Sequence, residues 1–577
     1  MVLYSSSTLV LLLFVLTIAG LIRYQQSSHK VFAALFLALY LSELVSTEQV
    51  ISSFSNQGLL TLMLIMTCSL AIEKTRLLRA ITSYMIEKDY RLTCIKLFGL
   101  TALASSTLNN TAVVSTMLAP IRNNPHHASS KLLIPLSYAA ILGGTLTLVG
   151  TSTNLIVNSM VIEAGLPSLG FFDFTPVGIV VVVLGGLLML LISRWLPERH
   201  RSKEAIADYF IDTEVGEGSS LIGKSVEQNG LRHLEDLFLV EIMRKGRLIS
   251  PVTPAEVIEA SDRLLFSGDV KKVTLLNQFD GLSIFASQNG LPLDNLKEVV
   301  LKPDSRLVGK TLKSAGFRAL FDSAVVAMRR DGAPMSGKLG EVVLKSGDYL
   351  ALATGRDFAA RRNISKNFYM LTELATEQTL EGLKEKLAVG GFFVAIGLSA
   401  LGIMPLFKGM LLLLSALLAA GALTANEVFH RLPRNIWLII ASALMLSQAL
   451  SNTGALDVID QVVQRNQGVF TPWVGLVFIY LLAWVMTELV TNNAAAALVF
   501  PIAIELAESL AVEPKIYILA LAFGASASFI SPYGYQTNLM VFNAGHYRIQ
   551  DFARVGIPMC VLYGLIVIAT LPVFVGF

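Results

Sequence analysis

Charge and cysteine are both scarce in this sequence of 577 residues. Only 15% of the residues are charged and 54% are hydrophobic, whereas an average soluble domain has about 25% charged residues. This balance excludes an ordinary soluble protein and is typical of a membrane protein. The three cysteines, Cys68, Cys94 and Cys560, lack the spacing of disulfide frameworks or zinc sites, so we interpret them as packing residues.

A strong charge of one sign is also lacking. The net charge is +3, and no long basic stripe with interleaved aromatic residues occurs, so we expect no nucleic-acid partner. The first apolar run, from Leu9 to Ile22, has no preceding basic segment and no small-residue cleavage site before a soluble domain. It therefore predicts a retained helix rather than a signal peptide.

Long apolar segments recur in two groups of five. A helix needs about twenty apolar residues to cross a bilayer. The segments therefore predict a polytopic α-helical membrane protein. Its expected crossings lie at residues 8–22, 31–46, 58–72, 132–162 and 176–193, and then at 387–404, 409–423, 436–451, 516–543 and 555–576.

Between the third and fourth crossings of each group lie two shorter apolar arms around a polar tip. In the first group the tip is Asn109-Asn110-Thr111, and in the second it is Thr491-Asn492-Asn493. Short apolar arms are more often re-entrant than spanning. We therefore predict one re-entrant hairpin in each half, with arms at 97–107 and 112–121 and at 476–490 and 494–504.

Lysine and arginine in the short loops predict the orientation of the chain. The loops after crossings one, three and five are basic, whereas loops 47–57 and 163–175 contain neither residue. Basic short loops stay on the cytoplasmic side. We therefore expect a multi-pass protein of the cell (inner) membrane, with the first hairpin entering from the cytoplasm and the second from outside.

Hairpins that enter from opposite faces predict an inverted repeat, and the residues of the two halves match. Residues 150–157 and 534–541 share the pattern G-x-x-T-N-L-x-V. Glycine weakens a helix, and Ser, Thr and Asn side chains bond the nearby backbone. We therefore expect this pattern to break the fourth and ninth crossings into half-helices joined by unwound loops.

A charged insert separates the two halves and contains a repeat of its own. Leu221-Ile222-Gly223-Lys224-Ser225 matches Leu307-Val308-Gly309-Lys310-Thr311 at a spacing of 86 residues, at which Gly246 also matches Gly332 and Asp262 matches Asp348. Short apolar runs at 263–266 and 349–352 predict strands. The predicted organisation is a first membrane half at 1–202, two small α+β domains at 203–295 and 296–386, and a second membrane half at 387–577.

Each copy of the insert resembles the C-terminal domain of TrkA-type potassium-uptake regulators, through L-[IV]-G-K-[ST], the basic-Gly turn and the [SG]-D-x-L strand start. That resemblance implies a dimerising module that can bind a small regulatory ligand. A dimerisation module without a ligand remains an equal alternative. The positions of the basic loops predict that the insert is cytoplasmic.

The polar breaks predict an anion site inside the membrane. A broken helix is tolerated in a bilayer where its freed backbone lines a cavity or a site. Amino termini of half-helices suit an anion, whereas unwound carbonyls suit Na⁺. The candidate substrate-binding residues are Asn109, Asn110, Thr111, Thr153, Asn154, Thr491, Asn492, Asn493, Thr537 and Asn538; the candidate Na⁺-binding residues are Asn110, Gly150, Asn154, Asn492, Gly534 and Asn538.

None of the four polar elements contains Lys or Arg, so bound cations must help to balance a dianion. This predicts cotransport with Na⁺ as the coupling ion and no organic cofactor, although the residues leave H⁺ open as the coupling ion. Glu488 lies one turn before Asn492 and is the candidate coupling acid, with a structural hydrogen bond as the alternative.

The membrane part resembles the divalent anion/sodium symporter family, through the two tips and the two G-x-x-T-N loops. That resemblance implies a non-enzymatic homodimeric symporter with an elevator-type mechanism, in which Ser-Asn-Thr tips bind Na⁺ and substrate. Here Asn109 replaces the first Ser, and the second tip reads Thr491-Asn492-Asn493. These departures argue against dicarboxylate specificity. The insert and the run Gly534-Tyr535-Gln536-Thr537-Asn538 are similar to the sulfate branch, so we expect import of sulfate.

Three other functions remain open on the sequence alone. The first is a dicarboxylate/sodium symporter. The second is a potassium channel or transport component regulated by TrkA-like domains, although the one filter-like string, Tyr533-Gly534-Tyr535, occurs only once. The third is a membrane sensor that reports anion supply without transport.

Overall fold

The structure is a computed structural model of the 577-residue chain. It describes residues 6–24, 28–199, 210–231, 237–245, 247–249, 252–268, 279–280, 282–285, 296–303, 305–330, 333–335, 339–354, 357–358, 361, 363–371, 380–466 and 468–577. The predicted pair Gly246 and Gly332 and the predicted boundaries at 202/203 and 295/296 fall outside these ranges, except for residue 296.

Ten α-helices form the described part of the first membrane half. They are α1 (Ser6–Arg23), α2 (Ser28–Leu41), α3 (Thr47–Phe54), α4 (Gln57–Glu73), α5 (Leu77–Met85), α6 (Tyr90–Ser105), α7 (Asn110–Arg122), α8 (Leu133–Gly144), α9 (Ser152–Glu163) and α10 (Thr175–Ile192). Short 3₁₀ turns precede α8, at Ser129–Lys131, and follow α10, at Ser193–Trp195.

The second half repeats this order with ten further helices. They are α11 (Leu383–Ala400), α12 (Leu406–Ala419), α13 (Ala425–Arg431), α14 (Arg434–Asn452), α15 (Asp457–Arg465), α16 (Pro472–Leu489), α17 (Asn492–Ser509), α18 (Pro514–Ser526), α19 (Gln536–Ala544) and α20 (Ile549–Phe574). Each helix of the second half thus corresponds to the helix of the first half whose label is lower by ten, so that α11 corresponds to α1 and α20 to α10.

The described chain is mostly helical and contains several helices suited to a membrane. Six helical segments in the described ranges are long and apolar enough to cross one. They are Ser6–Arg23, Thr47–Glu73, Thr175–Trp195, Arg434–Asn452, Pro472–Leu489 and Ile549–Phe574. Four of them, Ser6–Arg23, Thr175–Trp195, Pro472–Leu489 and Ile549–Phe574, carry several exposed large apolar side chains, as a lipid-facing surface requires. The expectation of a polytopic helical membrane protein is confirmed at this level, whereas the inverted relation of its halves stays a prediction.

Two features of the membrane part differ from the sequence-based expectation. The first arm of the second hairpin, α16, has 18 residues and is long enough to span, so the expectation of two short arms is wrong there. Four short helices, α3, α5, α13 and α15, were not predicted. Two of them begin with a capping box, Ser46 with Gln49 in α3 and Thr424 with Glu427 in α13, which is a recognisable sequence signal.

The predicted breaks of the fourth and ninth crossings are present. An unwound loop of residues 145–151 separates α8 from α9, and a second of residues 527–535 separates α18 from α19. The arms of the two hairpins, α6 with α7 and α16 with α17, meet near Asn110 and Asn492. The two halves interleave, because α7 packs against α19 and α17 packs against α9.

Ion pairs group the loops as the basic-loop pattern predicts. Lys515, before α18, pairs with Asp173 of the arginine-free loop 163–175 at 3.2 Å. On the predicted cytoplasmic side, Lys74 pairs with Glu427 at 2.5 Å, and Arg76 pairs with Glu381. Loops assigned to the same side therefore lie together.

The described residues of the insert form two five-stranded antiparallel sheets. The first has the order β3-β2-β4-β1-β5 and the second the order β10-β6-β9-β7-β8. Their strands are β1 (Phe210–Val215), β2 (Leu237–Arg244), β3 (Arg247–Ile249), β4 (Arg263–Gly268) and β5 (Leu282–Phe285), then β6 (Leu296–Leu301), β7 (Ser323–Arg330), β8 (Ala333–Pro334), β9 (Tyr349–Thr354) and β10 (Phe368–Met370). Short helices at Phe317–Phe321, Leu339–Glu341 and Ile364–Asn367 accompany the second sheet.

The two sheets match strand by strand at the predicted spacing. The predicted strands at 263–266 and 349–352 are the starts of β4 and β9. Gly223 and Gly309 occupy the left-handed region, with φ of 80° and 82°, where side chains other than glycine are strained. This requirement explains the glycine in each L-[IV]-G-K-[ST] match.

The second sheet docks on the membrane helices. Arg122, at the end of α7, forms an ion pair with Glu298 of β6, and the two side chains are only 4% and 3% exposed. The Tyr349 ring of β9 contacts both Arg122 and His546. Its centroid is 5.8 Å from the Arg122 guanidinium carbon and 5.8 Å from the centroid of the His546 ring. The turn at Gly347 lies so close to α19 that a Cβ there would be 2.7 Å from Leu539 Cδ1. The insert therefore contacts both halves.

The opposite entry of the two hairpins can be tested by labelling single cysteines. His126, after α7, and Glu513, before α18, are both exposed. With the buried Cys68, Cys94 and Cys560 replaced by alanine, we expect a membrane-impermeant maleimide to label Glu513→Cys but not His126→Cys in intact cells. Permeabilised cells, in which both should react, provide the control. Labelling of His126→Cys alone from outside would contradict the predicted topology.

Candidate functional site

The tip of the first hairpin is formed by a capped helix start. Asn109 precedes α7, and its side-chain oxygen accepts a hydrogen bond from the backbone N–H of Thr111 at 2.9 Å. Such a cap satisfies one of the four N–H groups that a helix start leaves unpaired. Asn110 follows with its side chain buried, whereas Asn109 and Thr111 are half-buried.

The amide of Asn110 is surrounded by partners. It lies 2.5 Å from Ser105 Oγ and 2.6 Å from the Tyr535 hydroxyl. With its nitrogen directed toward the Gly150 carbonyl, 3.0 Å away, its oxygen accepts from Tyr535, so both atoms of the amide are paired. Asn110 thus joins the hairpin tip to both unwound loops.

The tip of the second hairpin has a related but sparser arrangement. Thr487 Oγ1 lies 2.8 Å from Asn492 Oδ1 and 2.7 Å from the Ala525 carbonyl. Ser105 makes the matching contact with the Ala140 carbonyl at 2.9 Å. Among the described residues, the buried amide nitrogen of Asn492 has no hydrogen-bond partner. A polar donor is therefore free at this tip.

The asparagines of the two loops stabilise the unwound backbone. Asn154 Nδ2 donates to the Thr147 carbonyl at 2.9 Å, and Asn538 Nδ2 donates to the Ser528 carbonyl at 2.8 Å. Both side chains are fully buried. Ser137 hydrogen-bonds the other side of the second loop, at Thr537 Oγ1 and Asn538 Oδ1.

The first loop has no such serine contact. Within the described part of the chain, Thr153 Oγ1 and Asn154 Oδ1 have no hydrogen-bond partner although they are buried. Unpaired buried oxygens are costly unless a ligand, ion or water completes them. These two oxygens can therefore accept a ligand; Thr153 is a candidate substrate-binding residue, and Asn154 is a candidate for both substrate and Na⁺.

Contacts between the halves bring the four elements together. Thr111 of the first tip donates to Gln536 Oε1 of the second loop at 3.2 Å. Ser152 of the first loop donates to Asn493 Oδ1 of the second tip at 3.1 Å. Each hairpin tip therefore touches the loop of the other half, and all the candidate residues lie in or directly beside these four elements.

Close backbone packing requires glycine in both loops. A Cβ on Gly150 would lie 2.6 Å from the Gly144 carbonyl oxygen, and one on Gly534 would lie 2.3 Å from Ser528 Oγ. Neither approach is possible for a larger residue without a shift of the loop. The glycine of each G-x-x-T-N pattern is thus explained by packing, and the Gly150 carbonyl also lies against the Asn110 amide of the first hairpin.

Four helix starts lie together at this place. Helices α7, α9, α17 and α19 begin at Asn110, Ser152, Asn492 and Gln536. Each start carries a partial positive charge and unpaired N–H groups. The segments 106–111, 145–152, 489–493 and 527–536 contain no Lys or Arg, so these backbone dipoles are the positive electrostatic feature of the site.

A small cavity borders the first tip. It has a volume of about 10 Å³, roughly the room of one water molecule. Its polar lining residues are Ser69, Thr107, Asn109, Gly150 and Ser152. Hydroxyl, amide and carbonyl oxygens are the ligands that hard cations such as Na⁺ prefer, but the other half of the lining is apolar: Leu62, Ile65, Met66, Val149 and Leu155.

Glu488 bonds the second unwound loop. Its carboxylate accepts hydrogen bonds from the backbone N–H groups of Ile530 and Ser531 at 3.2 and 3.1 Å. These residues belong to the unwound loop before α19. The geometry therefore favours the structural alternative, in which Glu488 holds this loop to the hairpin arm.

Several residues of the site were not identified from the sequence. They are Ser105 and Thr487, which bond the tip asparagines, and Ser152, Tyr535 and Gln536, which connect the halves. A sequence signal existed for the first pair, because each hydroxyl residue stands five positions before its tip asparagine. No local pattern indicated the cross-half contacts, since Asn110 and Tyr535 are 425 residues apart.

Comparison with known proteins identifies similar transporters. A family model described as "Citrate transporter" matches residues 9–524. A Chlamydomonas reinhardtii protein with the name "Putative sulfur deprivation response regulator" is 30% identical over 93% of this chain and 96% of its own. An uncharacterized transporter of Synechocystis is 30% identical over 90% of this chain and 89% of its own.

A third relative carries a more specific name. The "Sodium/sulfate cotransporter 1" of Chlamydomonas reinhardtii is 29% identical over 62% of this chain. The match covers 42% of that protein's length.

Replacement of either tip asparagine tests the site. Asn110→Ala and Asn492→Ala should each weaken the binding of substrate or cation. A lost hydrogen bond to a charged group costs about 1.5 to 3 kcal/mol, or roughly 10- to 150-fold in affinity. Isothermal titration of the purified protein with sulfate and with Na⁺ measures both affinities.

Asn158→Ala is the matched control, because this buried amide on α9 accepts a hydrogen bond from the Leu169 backbone N–H, at 2.7 Å, outside the four elements. Its affinities should stay within about twofold of wild type. Wild-type affinities for both ligands in both tip variants would remove the proposed site.

Proposed function

The chain belongs to the citrate transporter family, whose members are membrane transporters and not enzymes, and from this premise we propose that it imports sulfate together with Na⁺. The observation that carries the proposal is the convergence of four helix starts and two buried tip asparagines at a place without Lys or Arg. The substrate-binding residues proposed are the ten Asn and Thr residues of the tips and loops named above.

The electrostatics of the site favour a transported anion over a permanently bound one. Helix starts and amide N–H groups stabilise a negative charge without a fixed countercharge. A lysine or arginine would hold a dianion in a strong ion pair in such a dry place and slow its release. Neutral donors bind the anion through several hydrogen bonds that can be exchanged for water.

Coupling to a cation follows from the charge of the substrate. Movement of a dianion inward against about 100 mV costs roughly twice 2.3 kcal/mol, so at least two monovalent cations must accompany it. The proposed Na⁺ ligands are Asn110, Gly150 and Asn154 in the first half and Asn492, Gly534 and Asn538 in the second. The small cavity beside Gly150 and the unpaired oxygen of Asn154 support the first of these sites.

Three features support sulfate over a dicarboxylate. One relative is named as a sodium/sulfate cotransporter, both tips depart from Ser-Asn-Thr, and the Asn110 amide is occupied by Tyr535. The second candidate is a carboxylate symporter, which the family's description favours. The third, a sensor of sulfur supply, is favoured by the name of one relative.

The proposed mechanism is alternating access by an elevator-type movement in a homodimer, with the insert on the cytoplasmic side of the inner membrane. Two halves with the same order of helices, and the grouping of loops by ion pairs, support an inverted repeat. In this mechanism the hairpins and broken helices carry the site, while the other helices form the scaffold.

We also propose that the insert, as a pair of TrkA C-terminal-like domains, controls the transport rate. Its second sheet contacts α7 through the Arg122–Glu298 ion pair, and α19 through the turn at Gly347. Helices α7 and α19 begin at the first tip and the second loop, so the insert holds the far ends of two site helices. The insert would have two arrangements, one for each position of these helices. A small ligand that binds one arrangement more tightly would shift the equilibrium toward it by the difference between its two binding free energies.

Neutral tyrosine strengthens this contact between the insert and the membrane helices. Burial raises the pKa of Tyr349 to about 12, so its ring remains an uncharged phenol at neutral pH. The Arg122 and Arg329 guanidinium carbons lie 5.8 and 5.9 Å from the ring centroid, within the range of a cation–π contact. Arg329 also reaches His546 Nδ1 at 3.0 Å, so the insert is tied to the end of α19 as well.

Flux through the purified protein tests the proposed function. In proteoliposomes, we expect uptake of radiolabelled sulfate that requires an inward Na⁺ gradient and is stimulated by a negative interior potential when more than two Na⁺ accompany each sulfate. Protein-free liposomes provide the control. Absence of Na⁺-dependent uptake of sulfate would overturn the proposal, and uptake of citrate or succinate in its place would favour the second candidate.

Neutralising the buried acid tests the role of the insert. Glu298→Gln leaves Arg122 as an uncompensated buried charge, a change that costs roughly 3 to 5 kcal/mol. We expect an altered maximal rate of uptake with a sulfate affinity within a few-fold of wild type.

Glu381→Gln is the matched control, because the Arg76–Glu381 pair is exposed and such pairs contribute about 1 kcal/mol or less. The double variant Arg122→Met/Glu298→Leu removes both charges and so leaves no uncompensated buried charge. It therefore shows whether a changed rate comes from loss of the ion pair or from poor folding. An unchanged maximal rate in both Glu298 variants would reduce the insert to a structural module.

A further inference from the structure

The two halves of the candidate site are bridged by residues of different size. Thr151 and Ser152 of the first loop correspond in the repeat to Tyr535 and Gln536 of the second. Ser152 reaches the second tip through one short contact, to Asn493 at 3.1 Å. Gln536 and Tyr535 reach the first tip through two longer side chains, to Thr111 at 3.2 Å and to Asn110 at 2.6 Å.

This difference leaves the two tip asparagines in different states. The Asn110 amide has partners at both atoms, including the Tyr535 hydroxyl. The Asn492 amide nitrogen has none within the described chain. An arriving anion can therefore bind Asn492 directly, whereas a hydrogen bond from Asn110 would first require the loss of an existing contact.

The Tyr535 ring lies across the junction of the two loops. Its hydroxyl is also 3.5 Å from Thr151 Oγ1, the side chain at the equivalent position of the first half. The adjacent Gly534 packs against Ser528 with no space for a side chain, which fixes the backbone that carries the ring. Tyr535 is half-buried, so the ring also borders accessible space.

We propose that Tyr535 is a specificity-determining residue that closes the Asn110 half of the site and so restricts the substrate to a compact anion with one charged centre. This inference rests on the proposed function. A dicarboxylate carries two charged groups several bonds apart and needs two separate sets of donors. With one set covered by a phenol ring, a tetrahedral oxyanion such as sulfate still binds at Asn492, but the second carboxylate of a longer anion is left unpaired.

The size of the ring and its hydroxyl act differently in this arrangement. The ring occupies the space that a second carboxylate would need. The hydroxyl pairs the oxygen of Asn110 and keeps the nitrogen of that amide on the Gly150 carbonyl. A threonine at this position, as at residue 151, would be too small to reach Asn110 and would open the first half of the site.

The test compares sulfate and succinate as substrates of the full-length protein in proteoliposomes with a Na⁺ gradient. In wild type, we expect succinate to be transported poorly and to compete weakly with sulfate. Tyr535→Thr should reduce the preference for sulfate over succinate by roughly tenfold or more, the range that changes in pocket size produce. Tyr535→Phe keeps the ring and should retain the preference within a few-fold.

Two further variants make the result decisive. Gln536→Ser shortens the other bridge to the same tip at an exposed position, so it should also lower the preference for sulfate even if Tyr535→Thr assembles poorly. Tyr517→Phe is the matched control, because its buried hydroxyl donates to the Pro472 carbonyl, at 2.8 Å, at the end of α16 that lies far from the second tip. It should behave as wild type.

The outcomes distinguish this inference from the proposed function. Sulfate uptake by wild type with an unaltered preference in both Tyr535→Thr and Gln536→Ser would overturn the role of Tyr535 alone. Equal transport of succinate and sulfate by wild type would also overturn it. Absence of Na⁺-dependent uptake of either anion would remove the proposed function and this inference together.

Discussion

The unpaired N–H groups at four helix starts are the constraint on which the rest of the membrane part depends. Helices α7, α9, α17 and α19 begin in the interior of the protein, where an unsatisfied backbone group is expensive. Caps such as Asn109 satisfy some of these groups. The remainder require the starts to face one another around polar side chains, and this explains why each hairpin packs against the broken helix of the other half.

Much of this arrangement could be predicted from local sequence patterns. Apolar length located the helices, the Gly and Asn patterns located the breaks, and the spacing of 86 residues predicted two copies whose sheets share one strand order. The short helices α3 and α13 were missed although each begins with a capping box. These helices are too short to be found by a search for apolar segments of membrane-spanning length. Only their capping residues indicated them.

The cross-half contacts could not be predicted, because they depend on tertiary packing. Tyr535 and Asn110 are brought together by the crossing of α7 with α19, and Arg122 meets Glu298 through the docking of a sheet whose position no periodicity encodes. Glu488 is a second case in which sequence position alone did not predict the contacts of a side chain. Its place one turn before Asn492 suggested a role at the tip, yet its carboxylate bonds the backbone of Ile530 and Ser531.

The docking of the insert and the closure of the first tip involve the same two helices. Helix α7 runs from Asn110, which Tyr535 covers, to Arg122, which Glu298 holds. Helix α19 begins one residue after Tyr535, and the chain that follows it reaches Tyr349 at His546. An α-helix of 13 residues is about 20 Å long, so α7 joins the docked sheet directly to the first tip. If the insert regulates transport as proposed, the contact between Tyr535 and Asn110 is the part of the site to which both docked helices lead, whereas the amide of Asn492 belongs to α17.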